Sequence, residues 1–384
     1  MLILASVLAI FVYGMIAAML GTILPALSDK FHLTPNQNGK IAVAQAIGLI
    51  VSSLGVGPLI DNEGKKLGLV LGLALVVITL AVLPKSNGYG TIVALLFALG
   101  LGGGIVTTVA NALVSDVGEA HRGAALNLVN IFFGLGGMAT PFIAANLLKR
   151  DTVKLCYTAC AFAAIALAVQ IAAPIPGPTG ERSFILANAG AVLGKPILLM
   201  LGFMLFLYIT CEVGMWNWLV QHLIAQGIPE SRALNVLSLG FALGLLVGRV
   251  AVSPILLTVR PELVTLAAAI AMAVTSFLAI RAQTATSAWI LVFLAGVAMA
   301  PVFPTTLAIV GEAFPRMTGT AIGFAITCGW IGLAVSSRIV GAIAGGNPKR
   351  LKTALLVIPV SAVIMAVVNI AVWDQLRGIR EVLK

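Results

Sequence analysis

The sequence predicts an all-α membrane protein with twelve transmembrane helices arranged as two pseudo-symmetric six-helix halves. Three observations lead there. The chain is 60% hydrophobic and only 9% charged over 384 residues, with a mean hydropathy of +1.10, far from the roughly 25% charged residues of soluble domains. Twelve apolar runs approach the ~20 residues needed to cross the hydrocarbon of a bilayer. An offset of 196 residues also brings like residues into register: Gly57-Pro58 with Ser253-Pro254, Ser115-Asp116 with Gly311-Glu312, and Arg122-Gly123 with Thr318-Gly319.

The first run, 3–27, has no basic start and exceeds a secretory apolar core, so it reads as a span and not as a signal peptide. The second, 41–60, ends near Gly57-Pro58, and the third, 67–84, follows Lys65-Lys66. The fourth, 91–115, carries Gly100–Gly104 and Asn111 and ends at Ser115-Asp116. In the fifth, 123–148, Asn127 and Asn130 share a stripe with Gly134 and Gly137 that suits helix packing with polar glue. The sixth is 153–175. Pro174 to Ser183 is rich in Pro and Gly, as a linker should be. The expected division is therefore 1–175, a linker at 176–195, and 196–384. The second half repeats the pattern with 196–221, 233–257, 263–280, 287–310, 319–344 and 353–373. Pro301 and Pro304 should break or bend the tenth run, freeing backbone groups that must be satisfied inside the protein.

A formal net charge of +10 raises the question of nucleic acid, but the basic residues are scattered singly or in pairs over short loops and form no patch. Cys156, Cys160, Cys211 and Cys328 fall inside predicted helices without His or acidic company and read as packing residues. His32, His121 and His222 sit in loops or at helix ends. No nucleophile–base pair, metal cluster or nucleotide fold emerges, no cofactor is implied, and an enzyme is not expected. Gly100–Gly104 lacks the Lys-Ser/Thr of a phosphate-binding loop and lies in a membrane helix, where close packing explains it.

Ionisable groups deep in a membrane cost several kcal/mol and are functional candidates. Glu212, Arg249 and Arg338 are the three placed inside helices. Tyr208, Glu212 and Trp216 are spaced i, i+4, i+8 and share one helical face. A carboxylate flanked by aromatic rings suits a sugar, whose hydroxyls pair with the acid while its apolar face lies on an indole. A structural Glu with interfacial Trp residues is the plainer reading of the same residues. Asn111 shares a face with Gly104, Thr107 and Thr108 and offers both donor and acceptor, although a helix–helix hydrogen bond would use it as well. Asn130, Gln45, Tyr13, Thr306 and Trp330 are further candidates to line a cavity.

The segment Gly57-Pro-Leu-Ile-Asp61-Asn-Glu-Gly64-Lys65-Lys66, between two spans, resembles the helix 2 to helix 3 signature of the major facilitator superfamily. Gly100–Asp116, Arg122–Asn127, Tyr208–Trp218, Gly248-Arg249, Ala300–Pro304 and Gly311–Pro315 extend the likeness over the whole chain, toward the fucose permease and sugar-transporter branch. The resemblance implies alternating access of a small-molecule substrate, a monosaccharide such as a hexose, at a central site. It implies a monomer in the lipid bilayer, with no nucleic acid partner and with a proton or sodium ion as coupling candidate. One departure matters. Where fucose permease has carboxylates on helices 1 and 4, this chain has Gly21 or Thr22 before Leu24-Pro25, and Thr107 before Asn111, which leaves Glu212 as the coupling candidate.

Positive charge does not orient the chain: with the N-terminus cytoplasmic, ten Lys/Arg fall on the cytoplasmic side and eleven opposite. The resemblance alone places both termini in the cytoplasm, in a bacterial inner membrane. On that orientation Gly57, Asp61, Gly64, Lys65, Lys66, Asp116, Arg122, Arg249 and Glu312 resemble a cytoplasmic gate that closes the outward-open state, with Asp61 able to dock against a helix end in the opposite half. The alternatives are a polyspecific drug or lipid efflux transporter of the same fold, and a membrane receptor that transports nothing.

Overall fold

The computed structural model describes residues 2–33, 35–148, 151–177, 190, 192–344 and 350–382. Most of the expected linker, 178–189 and 191, lies outside them, as do Lys149, Arg150 and Lys384.

Twelve principal helices follow one another. They are α1 (Leu2–Phe31), α2 (Pro35–Glu63), α3 (Lys65–Val82), α4 (Tyr89–Val117), α5 (Arg122–Phe142), α6 (Thr152–Ala172), α7 (Pro196–Ala225), α8 (Glu230–Asn235 continued by Leu243–Ile255), α9 (Pro261–Arg281), α10 (Ala285–Met299 and Val302–Ala313), α11 (Thr318–Ala344) and α12 (Val357–Val382). Among the described residues no strand is present. Among the described residues eleven helices are long and apolar enough to span a bilayer, and Leu239–Ile255 of α8 is a shorter apolar helix. The protein is a multi-pass membrane protein.

Local chemistry explains the irregularities. Pro301 interrupts α10, since its ring removes a backbone donor and collides with the preceding turn. Val236–Ala242 of α8 and Ile143–Leu147 after α5 are π-helical, which widens each turn by one residue. Asp151 caps α6 by accepting from the Lys154 amide at 3.0 Å. Its exposed carboxyl is held below the usual aspartate pKa by that bond and by the Lys154 ammonium. Gly64 turns the chain from α2 into α3 at φ 93° and ψ 155°, a region open essentially to glycine alone.

Contacts divide the chain into two compact units. One comprises Met1–Glu119, Val129–Ala191 and Phe314–Thr327; the other comprises Ala120–Leu128, Val192–Ala313 and Cys328–Lys384. The start of α5 therefore groups with the second unit and the start of α11 with the first, across the expected division at the linker. Specific contacts account for it. Gly123 meets Leu256, and Asn127 bonds to Thr305, in the second unit; Gly319 and Thr320 bond to Asp61 in the first.

The 196-residue repeat is visible in the packing. In the first unit, a Cβ on Gly48 would strike the Phe97 carbonyl and one on Gly100 the Gln45 carbonyl. In the second, Gly244 and Gly296 stand against the Phe293 and Phe241 carbonyls in the same way. Gly136 abuts the Phe11 carbonyl as Gly332 abuts that of Phe206. Each pair of glycines is separated by the offset read from the sequence, so α2·α4 and α1·α5 have their counterparts in α8·α10 and α7·α11. Close approach of backbones through small residues is how membrane helices gain dispersion contact without a hydrophobic driving force.

Beyond its apolar span (Pro196–Val220), α7 carries His222, whose Nε2 lies 2.9 Å from the Ile280 carbonyl at the end of α9. Burial holds this imidazole below its usual pKa, and the positive charge of Lys352 adds to the effect.

Candidate functional site

In the second unit, α7 presents Tyr208, Glu212 and Trp216 one turn apart. Glu212 is 16 residues past the start of α7 at Pro196, which at 1.5 Å per residue is about 24 Å along its axis. It is 8% exposed and Tyr208 is fully buried. The Trp216 side chain lies beside the carboxylate, and Arg249 of α8 acts on Glu212 and Tyr208 electrostatically. The Tyr208 hydroxyl lies beside Glu212 but outside good hydrogen-bond geometry, so among the described residues it has no full partner. Its ring tilts against Phe303 of α10, with centroids 6.3 Å apart. Trp216, 38% exposed, meets Phe241 edge-on at 5.2 Å.

This is an aromatic-walled carboxylate with a guanidinium in reach. The association of Arg249 with Glu212 was missed in the sequence, where Arg249 was grouped with the gate. Its only signal was depth, since Arg249 lies inside α8 and not at its end.

In the first unit, the expected polar wall is largely engaged with itself. Asn111 is buried, and its amide donates to the Thr107 carbonyl at 2.7 Å and weakly to the Thr107 hydroxyl at 3.4 Å. Asn130 of α5 donates to the Asn111 Oδ1 at 2.9 Å. The two asparagines thus form the helix–helix bond that competed with a substrate role. Tyr13 stacks on Phe133 at 5.4 Å and lies beside Gly103. Gln45 is buried on α2 where α4 crosses it. In the second unit Thr306 is fully buried, its hydroxyl without a partner among the described residues, and Trp330 is nearly buried on α11. Arg338 is exposed on α11.

The residues grouped as a gate separate into sets. Asp61, at the end of α2, accepts from the Gly319 amide at 2.9 Å, the Thr320 amide at 2.8 Å and the Thr320 hydroxyl at 2.6 Å. These amides belong to the first turn of α11, where four N–H groups lack intrahelical partners and the helix dipole favours an anion. A carboxylate there satisfies two of them. Gly57 makes the approach possible: a Cβ would lie 2.6 Å from the Gly319 carbonyl oxygen and 2.8 Å from the Thr320 Cα. Lys65, next to Gly64, pairs with Asp116 at 2.6 Å and Lys66 donates to the Ala173 carbonyl at 3.1 Å, tying α3 to the ends of α4 and α6. Arg122, opening α5, and Glu312, near the end of α10, belong to the second unit.

The model of the Major Facilitator Superfamily matches residues 6–337. The chain belongs to that superfamily. A segment of 149 residues is 30% identical to the 4-hydroxybenzoate transporter PcaK of Pseudomonas aeruginosa, covering 38% of this chain and 33% of that protein. The TsgA homolog of Citrobacter koseri is 25% identical over 258 residues, 65% of this chain and 64% of that one. The matches thus span between a third and two thirds of these curated relatives. Among solved structures, the fucose:proton symporter FucP of E. coli superposes with a TM-score of 0.82 at 17% identity, over 96% of this chain and 98% of that one. The proton:xylose symporter XylE bound to 6-bromo-6-deoxy-D-glucose gives 0.76 at 16% identity, over 95% and 94%. The human organic anion transporter MFSD10 gives 0.80 at 14%, over 96% and 98%. At these identities the likeness establishes the superfamily fold.

Proposed function

We propose that this chain carries a small polar solute, a monosaccharide such as a hexose, across the membrane by alternating access, with Glu212 as the principal contact and as the site of any proton or sodium coupling. The observation that carries the reading is the Tyr208–Glu212–Trp216 face of α7. A carboxylate accepts from two sugar hydroxyls while the partly exposed Trp216 indole covers the apolar face of the ring. Arg249 places a positive charge near that carboxylate. The Asp61 cap on α11 supplies a contact that one conformation makes and another would lose. We place both termini in the cytoplasm of a bacterial inner membrane on the likeness of residues 57–66.

A second reading is favoured by Arg249. A buried guanidinium beside aromatic rings suits an aromatic or other organic carboxylate, and the segment shared with the 4-hydroxybenzoate transporter points the same way. Counterflow in proteoliposomes separates the two. Radiolabelled monosaccharides and 4-hydroxybenzoate are presented with and without proton and sodium gradients. Sugar flux that Glu212→Gln abolishes supports the first reading; carboxylate flux that Arg249→Gln abolishes supports the second. Flux of neither class overturns both.

A further inference from the structure

Asn127, near the start of α5, was read from the sequence as packing. The structure gives it a different position. It is fully buried, and its Nδ2 donates to the Gly123 carbonyl at 2.9 Å and to the Thr305 hydroxyl of α10 at 3.0 Å. Thr305 is also fully buried, directly after Pro304 in the second piece of α10. The bond joins residues 178 apart in sequence, one from each six-helix half. Among the described residues the Asn127 Oδ1 has no partner. Flipping the amide would not relieve it, because the oxygen would then face the Gly123 carbonyl; the hydrogen-bond network fixes the orientation.

The seam therefore contains one neutral hydrogen bond and one stranded acceptor. A neutral bond contributes modestly once exchanged against water, while a buried acceptor without a partner costs at least as much. Apolar side chains in place of both partners would hold this contact at least as well. The repeat shows what the other seam does. The offset of 196 takes Asn127 to Gly323, which packs on the Ser53 carbonyl and Thr108 methyl beside the Asp61 cap. One seam is thus closed by a charged cap on a helix end, and the other by an amide that is only half satisfied.

We infer that Asn127 and Thr305 are positioning residues of the transport cycle: their bond registers α5 on α10 in the closed seam, and the stranded Oδ1 keeps that seam easy to open. This rests on the alternating-access reading above. It predicts opposite signs for losing one partner of the bond and for replacing both by apolar side chains. Asn127→Leu combined with Thr305→Val removes the stranded acceptor without stranding the Thr305 hydroxyl and should shift the population toward the closed seam by about tenfold. Thr305→Val removes the acceptor that Nδ2 uses and should shift it about as far toward the open one.

The test is double electron–electron resonance between spin labels at Ala120 and Arg316, in a protein whose four native cysteines are replaced and which is reconstituted in nanodiscs. Two distance populations in the wild type, moving in opposite directions in the two variants, are expected. Thr305→Ser, which keeps the acceptor, should restore the wild-type ratio. Two populations that move the same way in both variants, or in neither, overturn the inference and leave alternating access standing. A single population in the wild type overturns both. Should the double variant fail to fold, the contrast of Thr305→Val with Thr305→Ser decides alone: equal ratios in the two would refute the role.

Discussion

Replacing Asp61 with asparagine isolates the cap on α11. The aspartate accepts three hydrogen bonds, two of them from backbone amides at a helix start. Asparagine keeps one oxygen and sets its amide protons against an N–H donor, so about two charge-assisted bonds are lost. Each such bond contributes ~1.5–3 kcal/mol when buried, and the site is partly exposed, which lowers the sum to about 2–3 kcal/mol. At 1.4 kcal/mol per decade that is roughly 30–150-fold in the equilibrium between docked and undocked α2. Ser53 reports it: its side chain is fully buried and its carbonyl meets Gly323 of α11. In a background without native cysteines, Ser53→Cys should be protected from a water-soluble maleimide while α2 is docked. Adding Asp61→Asn should raise the alkylation rate by the same order and favour the inward-open state. An alkylation rate within about twofold of the parent, together with normal transport, would refute the assignment of Asp61 to the gate; twofold is only about 0.4 kcal/mol.

Glu212→Gln should keep the fold and lower transport or ligand affinity at least tenfold, since a charge-assisted bond in a dry site contributes ~1.5–3 kcal/mol; wild-type flux in proteoliposomes would make Glu212 structural. Asn111→Ala leaves the Asn130 amide facing a lost acceptor, so a stability loss of about 1–3 kcal/mol is expected without ligand, seen as a lower Tm in detergent. An unchanged Tm with weakened binding would return Asn111 to the substrate. His222 sets a pH dependence. Its folded pKa lies below the unfolded value of ~6.5, so the unfolded chain binds more protons as pH falls through that value, and stability declines until the folded pKa is also passed. Tm should therefore fall between about pH 7 and pH 5.5, and the slope should flatten in His222→Gln; equal slopes in both proteins would place the effect elsewhere.

The spans were legible because a bilayer imposes length and apolarity directly on sequence. Their ends were not: α12 continues to Val382, nine residues past its expected end at 373, since a helix can run on outside the hydrocarbon at no backbone cost. The break in α10 was legible from Pro301, whereas the π-helical stretch of α8 was not, because one extra residue per turn has no composition of its own. Docking of Asp61 on a helix end was legible as well, because it needs only a carboxylate and free first-turn amides. The Glu212–Arg249 association was not. It depends on how two helices are rotated about their axes, and apolar residues all round a membrane helix leave that rotation unmarked. The Asn111–Asn130 bond was weighed only as one of two uses of the same amide, because sequence alone does not show which side chain faces it.

The paired glycines of α2·α4 and α8·α10 have a mechanical consequence. Each carbonyl occupies a notch where only a hydrogen fits, so sliding one helix along its neighbour by a single residue, about 1.5 Å, would drive a Cβ into a backbone oxygen. Shear within these pairs is blocked, and each must travel as one rigid strut. The same notches recur at α1·α5 and α7·α11. Any displacement that moves a solute is thereby left to surfaces other than these four, and a substitution of Gly48, Gly100, Gly244 or Gly296 would spoil the strut long before it touched the cargo.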